Sequence, residues 1–348
     1  MDYTKQYINN SVIIEDKKKE VCVVSEQTFS SLSSLTTYKK VVDISKHHKI
    51  YGLTQNDYNE VLEKIKKQNC FLEYNYIYDK ISGTQIPLKD LVISANHNPN
   101  RYHALIQNRI NTLSNEAKEK NLSPLFMTLT LPSEFHKMKI DKKTKALIPN
   151  PKYNHVTPKE AVKHLTKMFS KLRHDRSLKE LSKDERIYFR VNEPHKNGTP
   201  HTHVLLFVPK SSIDRVVTAF KRLFDNKAND IQTNIENATS YIMKYINKTL
   251  PLSKKENLSK KDKYLNAWYC KHRIIRFNCS RTLAPLSLYR LLHEKFNLKE
   301  LTSLVKKKSL AIFVLQTNRN KIMEIFFGDE LIYQRSKNYT LKNGLLDF

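Results

Sequence analysis

The chain has 348 residues, a formal net charge of +27 at pH 7 and a sequence pI near 9.7. A balance this basic indicates a polyanionic partner, with nucleic acid favoured over an acidic membrane surface. No apolar stretch is long enough to span a bilayer, and the four scattered cysteines argue against a disulfide framework or a zinc ribbon. The sequence also lacks the glycine-rich phosphate loop of ATPases, so ATP hydrolysis by that route is excluded.

Residues 1–95 give the weakest pattern. A helix is predicted over 54–67 and a strand over 71–78, and the Ser/Thr-rich stretch 28–37 indicates a small accessory domain or a flexible arm. We assign no chemistry to this region. We place a domain boundary near residue 95 and expect an accessory region of unknown role before it.

The next segment carries the first elements of a core. A helix is predicted over 101–120, and residues 125–132 form a clear strand that ends at its proline. Along that strand Thr128 and Thr130 face away from the apolar side chains, because successive residues of a strand point to opposite faces. Thr157-Pro-Lys-Glu160 is typical of a helix start, with a threonine cap and a proline in the first turn.

A β-hairpin is predicted where the strand 187–193 turns through a loop rich in proline and glycine. The second strand opens with His201 and His203, which are two apart and therefore present their imidazoles on one face. Two surface histidines are the ordinary alternative. Glu193 ends the first strand, so its carboxylate can approach both rings and complete an open site for Mg²⁺ or Mn²⁺. His195, in the loop, could replace or assist that carboxylate.

A second chemically distinctive stretch is the predicted helix over 238–248. Tyr241, Lys244, Tyr245 and Lys248 fall within an arc of roughly 100° at 3.6 residues per turn. Two phenols and two ammonium groups then share one face, and nearby cations favour the phenolate, which is the nucleophilic form. The alternative is a tyrosine and lysine face that packs or binds phosphates passively.

Aromatic and basic residues also alternate in the segment 265–277. Trp268, Arg273 and Arg276 suit stacking on bases and contacts with the backbone of a single strand, and with Lys248 of the preceding helix they are the predicted DNA contacts. A buried helix whose arginines reach out to solvent is the alternative. The remaining residues, 285–348, are predicted to form a small α/β module with a short helix and a β-hairpin.

Three motifs stand in one order along the chain: Phe126-Met-Thr-Leu-Thr130, the Glu193 to His203 hairpin, and Tyr241-x-x-Lys-Tyr245. Together they resemble the HUH endonucleases, and most closely the two-tyrosine gene A replication proteins of phages. The likeness covers about residues 125–248 and departs in one place. The family's residue between the histidines is usually apolar and is Thr202 here, which we expect to point away from the metal.

The resemblance implies an α+β fold whose HUH-type core, over 96–284, has a central antiparallel sheet of about five strands flanked by helices. It implies that Tyr241 or Tyr245 attacks a phosphodiester of single-stranded DNA at a replication origin. The products would be a 5′-phosphotyrosine and a free 3′-hydroxyl that primes rolling-circle synthesis, and the enzyme would later rejoin the strand. Lys244 would stabilise the phenolate or the transition state. The divalent ion would be held by Glu193, His201 and His203.

The same resemblance implies partners and leaves alternatives. A separate host helicase and a polymerase would act with the protein in the cytoplasm of a bacterial host, with no membrane involved. A two-tyrosine HUH transposase would share every catalytic residue and differ only in its DNA target. A conjugative relaxase fits less well, because its tyrosine normally precedes the histidine motif. A non-catalytic basic DNA-binding protein would explain the charge but not three motifs in the family's order.

Overall fold

The computed structural model describes residues 49–141, 143–144, 147–251, 257–315, 321–335 and 339–344. The Ser/Thr-rich stretch 28–37 lies outside these residues. The helices of the described part are α1 (Gln55–Glu73), α2 (Leu88–Leu91), α3 (Pro99–Glu119), α4 (Pro158–His174), α5 (Arg176–Lys179), α6 (Ile213–Leu223), α7 (Ala238–Thr249), α8 (Lys260–His272), α9 (Leu286–Leu292) and α10 (Leu298–Lys306). Its strands are β1 (Asn75–Asp79), β2 (Gln85–Pro87), β3 (Leu122–Thr130), β4 (Met138–Ile140), β5 (Leu147–Pro149), β6 (Ile187–Pro194), β7 (Pro200–Pro209), β8 (Asp230–Gln232), β9 (Phe277–Cys279), β10 (Leu310–Leu315), β11 (Lys321–Phe327), β12 (Glu330–Gln334) and β13 (Tyr339–Asn343).

The fold is α+β and is organised around a five-stranded antiparallel sheet of order β8-β3-β7-β6-β9. This confirms the predicted fold class. The predicted hairpin is also confirmed: β6 and β7 pair in a register that sets Glu193 opposite His201. On the other side of β7, β3 pairs so that Thr128 lies opposite His203. The two longest pairings therefore converge on the histidines.

Each face of this sheet is covered by helices. On one face of the sheet, Leu205 and the side chains that point the same way pack against α3 and α7. Helix α7 contributes Ile242 and Ile246 to this contact. Leu206 and the alternate side chains pack with α4 and α6, for example against Phe169. Apolar residues line both faces because both are buried, as expected for a central layer. Strand alternation thus decides which helices each side chain meets.

Local sequence signals set the helix starts. The predicted cap of α4 is confirmed, since the Thr157 hydroxyl accepts from the Glu160 amide and the Glu160 carboxylate accepts from the Thr157 amide. Helix α1 has the same capping box at Thr54 but runs to Glu73. The prediction of a strand from Phe71 was therefore wrong at its start. No glycine or proline interrupts this stretch, so the helical hydrogen bonds continue until Asn75 donates its side-chain amide to the Phe71 carbonyl.

The outer elements join distant parts of the chain. Strand β1 pairs with β2 and with β13, so a strand near residue 77 lies beside one near 341. Helix α1 packs on α8, where the rings of Tyr58 and Tyr264 stack at 4.7 Å. Strands β10, β11 and β12 form a separate antiparallel sheet, which confirms the predicted C-terminal hairpin and adds a strand to it. In the described part, no helix is both long and apolar enough to cross a membrane.

A candidate metal and tyrosine site at one end of the sheet

The β6–β7 hairpin brings a carboxylate and two imidazoles together at one end of the sheet. The Nε2 atoms of His201 and His203 lie 3.0 Å apart. The Oε2 atom of Glu193 lies 3.8 Å from the first and 3.9 Å from the second. All three side chains are buried or nearly so, and within the described residues they form a group whose ligand atoms lie within 4.8 Å of one another. The sequence predicted this trio.

The chemistry of these donors fits a divalent cation. Burial lowers the pKa of His201 well below its ordinary value, and burial with the neighbouring Lys248 lowers that of His203 to about 3. Both imidazoles are therefore neutral at physiological pH and keep a lone pair for a metal. The Oε1 atom of Glu193 is buried and has no hydrogen-bond partner among the described residues. A buried carboxylate oxygen without a partner is costly unless a cation or donor reaches it.

Lys248 supplies one positive charge to this site. Its Nζ lies 2.6 Å from Oε2 of Glu193, while more than half of its side chain stays exposed. Burial raises the pKa of Glu193, and the ammonium opposes that rise without cancelling it. The sequence assigned Lys248 to DNA contact. The structure joins it to the carboxylate instead, with its exposed flank still open to solvent.

Strand β3 orients the second histidine. The Thr128 hydroxyl lies 3.1 Å from Nδ1 of His203, which leaves Nε2 turned toward the other ligands. The Phe126 ring stacks near the same imidazole at 5.5 Å. Such outer contacts fix the tautomer and ring direction of a metal-binding histidine. Strand alternation predicts which way Thr128 faces but gives it no role, because its place opposite His203 depends on the register of β3 against β7.

Thr202 behaves as expected. Its side chain is fully buried and points away from the site, where the hydroxyl donates to Oδ1 of Asn192 at 2.7 Å. The departure from the family's apolar residue is thus absorbed by one neighbouring amide. It leaves the ligand geometry unaltered.

Helix α7 presents both tyrosines to this end of the sheet. The Tyr245 ring lies 4.1 Å from the His203 ring, and the Tyr241 ring lies 5.9 Å from that of Tyr245. Both pack on Phe126. The Tyr241 hydroxyl donates to Oε1 of Gln232 at 3.1 Å, a partner that the sequence analysis missed. The opposite face of α7 is anchored in the core, as predicted from its spacing.

The electrostatics of the phenols differ from the prediction in one respect. Burial, aided by the adjacent Tyr241, raises the pKa of Tyr245 above its ordinary value. The expectation that nearby cations favour its phenolate was wrong in direction, because burial and the neighbouring Tyr241 both disfavour the charged form. Lys244 is exposed and makes no hydrogen bond or ion pair within the described part of the chain. The phenol of Tyr245 is therefore protonated at physiological pH.

Two more histidines lie behind the pair. The His195 ring stacks on His201 at 4.2 Å and lies 5.5 Å from His136. Burial lowers the pKa of His195 to about 4, and its Nε2 has no partner among the described residues. The sequence offered His195 as an alternative to Glu193. The structure puts it on the far side of His201, outside the group of three.

The hairpin loop is fixed by an unusually close backbone approach. Gly198 has φ +89, and a Cβ there would collide with the carbonyl oxygen of Tyr51. Gly52, with φ +73, faces Asn197 in the same way. Only glycine combines this backbone conformation with such close contact. The Trp268 indole completes the contact by donating to the Gly198 carbonyl at 3.0 Å.

The prediction that Trp268 and Arg276 contact DNA was wrong for this structure. Trp268 is fully buried, and Arg276 is buried with its guanidinium donating to the Thr249 carbonyl and to Asn266, 4.0 Å from the Tyr269 ring. The buried-helix alternative is the observed one. Arg273 alone of the segment's predicted DNA contacts is exposed, at the left-handed cap of α8.

Comparisons with known proteins agree with the motifs. The chain is 32% identical over 184 residues to the replication protein of Haemophilus phage HP1, which covers 48% of this chain and 22% of that protein. It is 27% identical over 248 residues to a probable replication endonuclease of Salmonella typhi, covering 63% of this chain and 30% of that protein. It is 28% identical over 227 residues to the replication gene A protein of Escherichia phage 186, which covers 60% of this chain and 31% of that protein.

The matched part of the chain thus spans less than a third of each of these relatives. No solved structure matches the chain significantly. A sequence profile of the bacteriophage replication gene A protein (GPA) family matches residues 33–252, more than half of the chain. The chain therefore belongs to the bacteriophage replication gene A protein family.

Proposed function

We propose that this protein initiates rolling-circle DNA replication by nicking single-stranded DNA at an origin through a tyrosine. The observation that carries the proposal is the 4.1 Å contact between the Tyr245 and His203 rings, at a cluster of two neutral imidazoles and a carboxylate. A nucleophile and a candidate cation site are thereby adjacent, which is what phosphodiester transfer requires. The name of the Salmonella typhi relative, a probable replication endonuclease, supports the same reaction.

Glu193, His201 and His203 would hold a divalent ion, Mg²⁺ or Mn²⁺. Bound there, such an ion would offset negative charge on the phosphate and lower the free energy of the transition state. The buried Oε1 of Glu193, which lacks a partner among the described residues, supports this assignment. Lys248 would keep part of the carboxylate charge neutralised and expose its flank to the incoming strand.

The phenol oxygen would form a bond to phosphorus while the bond from phosphorus to the 3′ oxygen breaks. The phenol proton is lost and the 3′ oxygen gains one, so a 5′-phosphotyrosine and a free 3′-hydroxyl result. The bond energy is retained in the phosphotyrosine, so rejoining needs no ATP. The 3′-hydroxyl would prime a polymerase, and a separate host helicase would unwind the duplex.

We assign the first attack to Tyr245. Its ring lies against His203, whereas the hydroxyl of Tyr241 is hydrogen-bonded to Gln232 and its ring lies behind that of Tyr245. Burial raises the pKa of Tyr245, so attack depends on the added positive charge of the ion. Tyr241 would then cut the regenerated origin when a round ends.

The test uses the whole chain, a labelled single-stranded library and Mn²⁺. An adduct that survives SDS should form with the native protein and disappear when Tyr241 and Tyr245 are both changed to Phe. Tyr245→Phe alone should remove the first adduct, whereas Tyr241→Phe should retain it. The control is Tyr74→Phe, an exposed tyrosine far from the site.

DNA binding, followed by fluorescence anisotropy without metal, should be the same for the native protein and all four variants. An adduct that persists in the double variant would move the nucleophile elsewhere. Binding without any adduct, with every tyrosine present, would leave a passive DNA-binding protein and contradict the proposal.

A further inference from the structure

A second groove lies at the opposite end of the central sheet from the metal site. It runs past the end of the edge strand β9, where two hollows of about 750 and 630 Å³ share Lys183, Ser280, Arg281 and Thr282. The paired residues Tyr188 and Leu206 of β6 and β7 also line it. This pair lies five residue pairs along the β6–β7 ladder from the Glu193–His201 pair, which is roughly 17 Å along the strands. We call this the Arg281 groove.

The groove is strongly positive and its charges are available. Arg109, Arg173, Lys179, Lys183 and Arg281 all line it, and none of them forms an ion pair with another described residue. The carboxylate in the lining, Asp184, is already engaged by two lysines. These are Lys120 and Lys306. Unpaired cations gathered around a concave surface attract a polyanion.

Some hydrogen-bond donors in the groove also lack partners. Nη1 of Arg109 and Nε of Arg173 are buried and have no acceptor among the described residues. Buried guanidinium donors are normally paired, so these two arginines lack acceptors that such donors usually have. Phosphate oxygens are acceptors of that kind, and arginine is the side chain best matched to them. The hydroxyls of Ser280 and Thr282, 3.2 Å apart, lie on the same floor.

The shape and lining favour a strand over a single anion. Because the two hollows are joined, the groove extends beyond what one phosphate would fill. The Tyr188 ring lies in its wall, with the Arg173 guanidinium 5.8 Å above it. An aromatic ring beside cations can contact an unpaired base while the cations hold its backbone. A duplex presents phosphates but no free base faces.

We infer that the Arg281 groove binds single-stranded DNA at a distance from the nicked phosphate. The inference relies on the proposed function only for the identity of the polyanion. Binding at this second site would keep one flank of the cut strand on the protein after the 3′-hydroxyl is released.

The test compares two charge-reversed pairs in the full chain. Lys183→Glu with Arg281→Glu changes the groove, and Lys67→Glu with Lys80→Glu is the control, on exposed lysines of α1 and the β1–β2 turn that form no ion pair within the described residues. Net charge changes equally in both. Binding of a labelled oligothymidine is measured without metal over a range of salt, so no cleavage is needed and a failed nickase assay would leave this result intact.

The groove pair should weaken binding and reduce the slope of log affinity against log salt by about 1.4, as expected for two lost phosphate contacts to a single strand. The control pair should leave the slope nearly unchanged. Equal losses in both pairs would reduce the effect to net charge and overturn the inference. Two further probes distinguish the ligand. A larger loss for a matched duplex, or a loss confined to inorganic phosphate, would equally overturn the single-strand assignment.

Discussion

Helices α7 and α8 have similar compositions but differ in how much of their surface the rest of the molecule buries. Both combine aromatic and basic side chains, and the sequence allowed either one to face DNA. In α7 only one side, with Ile242 and Ile246, packs on the sheet, so the tyrosines and lysines remain at the surface. In α8 a second layer intervenes, because α1 covers its outer side. Whether such a helix exposes its tyrosines and lysines therefore depends on how many of its sides are buried, and not on its composition.

The largest expected effect tests the packing side of this comparison. Trp268→Ala removes a fully buried ring and its hydrogen bond to Gly198, and should lower the free energy of unfolding by about 3–5 kcal/mol. Tyr241→Ala, on the half-buried face of α7, should cost much less. Urea unfolding followed by circular dichroism measures both. Equal losses would mean that α7 supports the fold as much as α8 does.

The next effect concerns the polar groups beneath α7. Burial lowers the folded-state pKa of His195 to about 4 and of His203 to about 3, so below about pH 6.5 the unfolded chain binds protons that the folded chain does not. Stability should therefore fall as the pH falls from about 6.5 to about 5.5, by up to about 1.4 kcal/mol for each histidine. Glu193 opposes this in part, because its raised pKa lets the folded state bind a proton first.

Urea unfolding at a series of pH values measures that slope. His195→Gln should reduce it by one histidine's share, whereas the exposed His293→Gln should leave it unchanged. A native slope that is flat between about pH 6.5 and 5 would contradict the buried, neutral state of the cluster.

The smallest expected effect separates the two lysines of α7. Lys248→Gln removes the ammonium that now occupies one side of the buried Glu193 carboxylate. Because that ammonium is itself more than half exposed and screened by solvent, we take the pair to be worth about 1 kcal/mol or less. We therefore expect Mn²⁺ to bind up to about fivefold more tightly, measured by calorimetry. Lys244→Gln should leave the affinity unchanged, since that side chain makes no contact with the ligands. Weaker binding in Lys248→Gln would instead make the ammonium a support for the carboxylate.

Much of the fold and of the candidate site was predictable from the periodicity of apolar residues and from the turn and cap residues that end each element. The hairpin followed from alternation around a proline and glycine loop. The pairing of His201 and His203 followed from the rule that residues two apart share a face, and the approach of Glu193 followed from its place at the end of the first strand. The cap at Thr157 located a helix to the residue. These signals are local, so they survive without knowledge of the tertiary structure.

What escaped prediction depends on contacts between distant segments. Thr128 gained a role only through the register of β3 against β7, and Gln232 only because β8 lies at the sheet edge beside Tyr241. The pKa of Tyr245 was given the wrong direction because the sequence does not show how far the packing of α7 on the sheet buries that phenol beside Tyr241. The burial of Trp268 required α1, which the sequence placed in a region without assigned chemistry.

The close backbone contact between Gly198 and Tyr51 means that residues before position 96 support the candidate site. The loop joining Glu193 to His201 has its outer surface pressed against the carbonyl of Tyr51, and Leu53 and Val61 bury with Trp268 just beyond. A shortened protein that began at residue 96 would keep every proposed catalytic side chain. It would also uncover Trp268 and release the loop between Glu193 and His201, so a fragment that keeps the candidate site intact should retain the residues from about Lys49 onward.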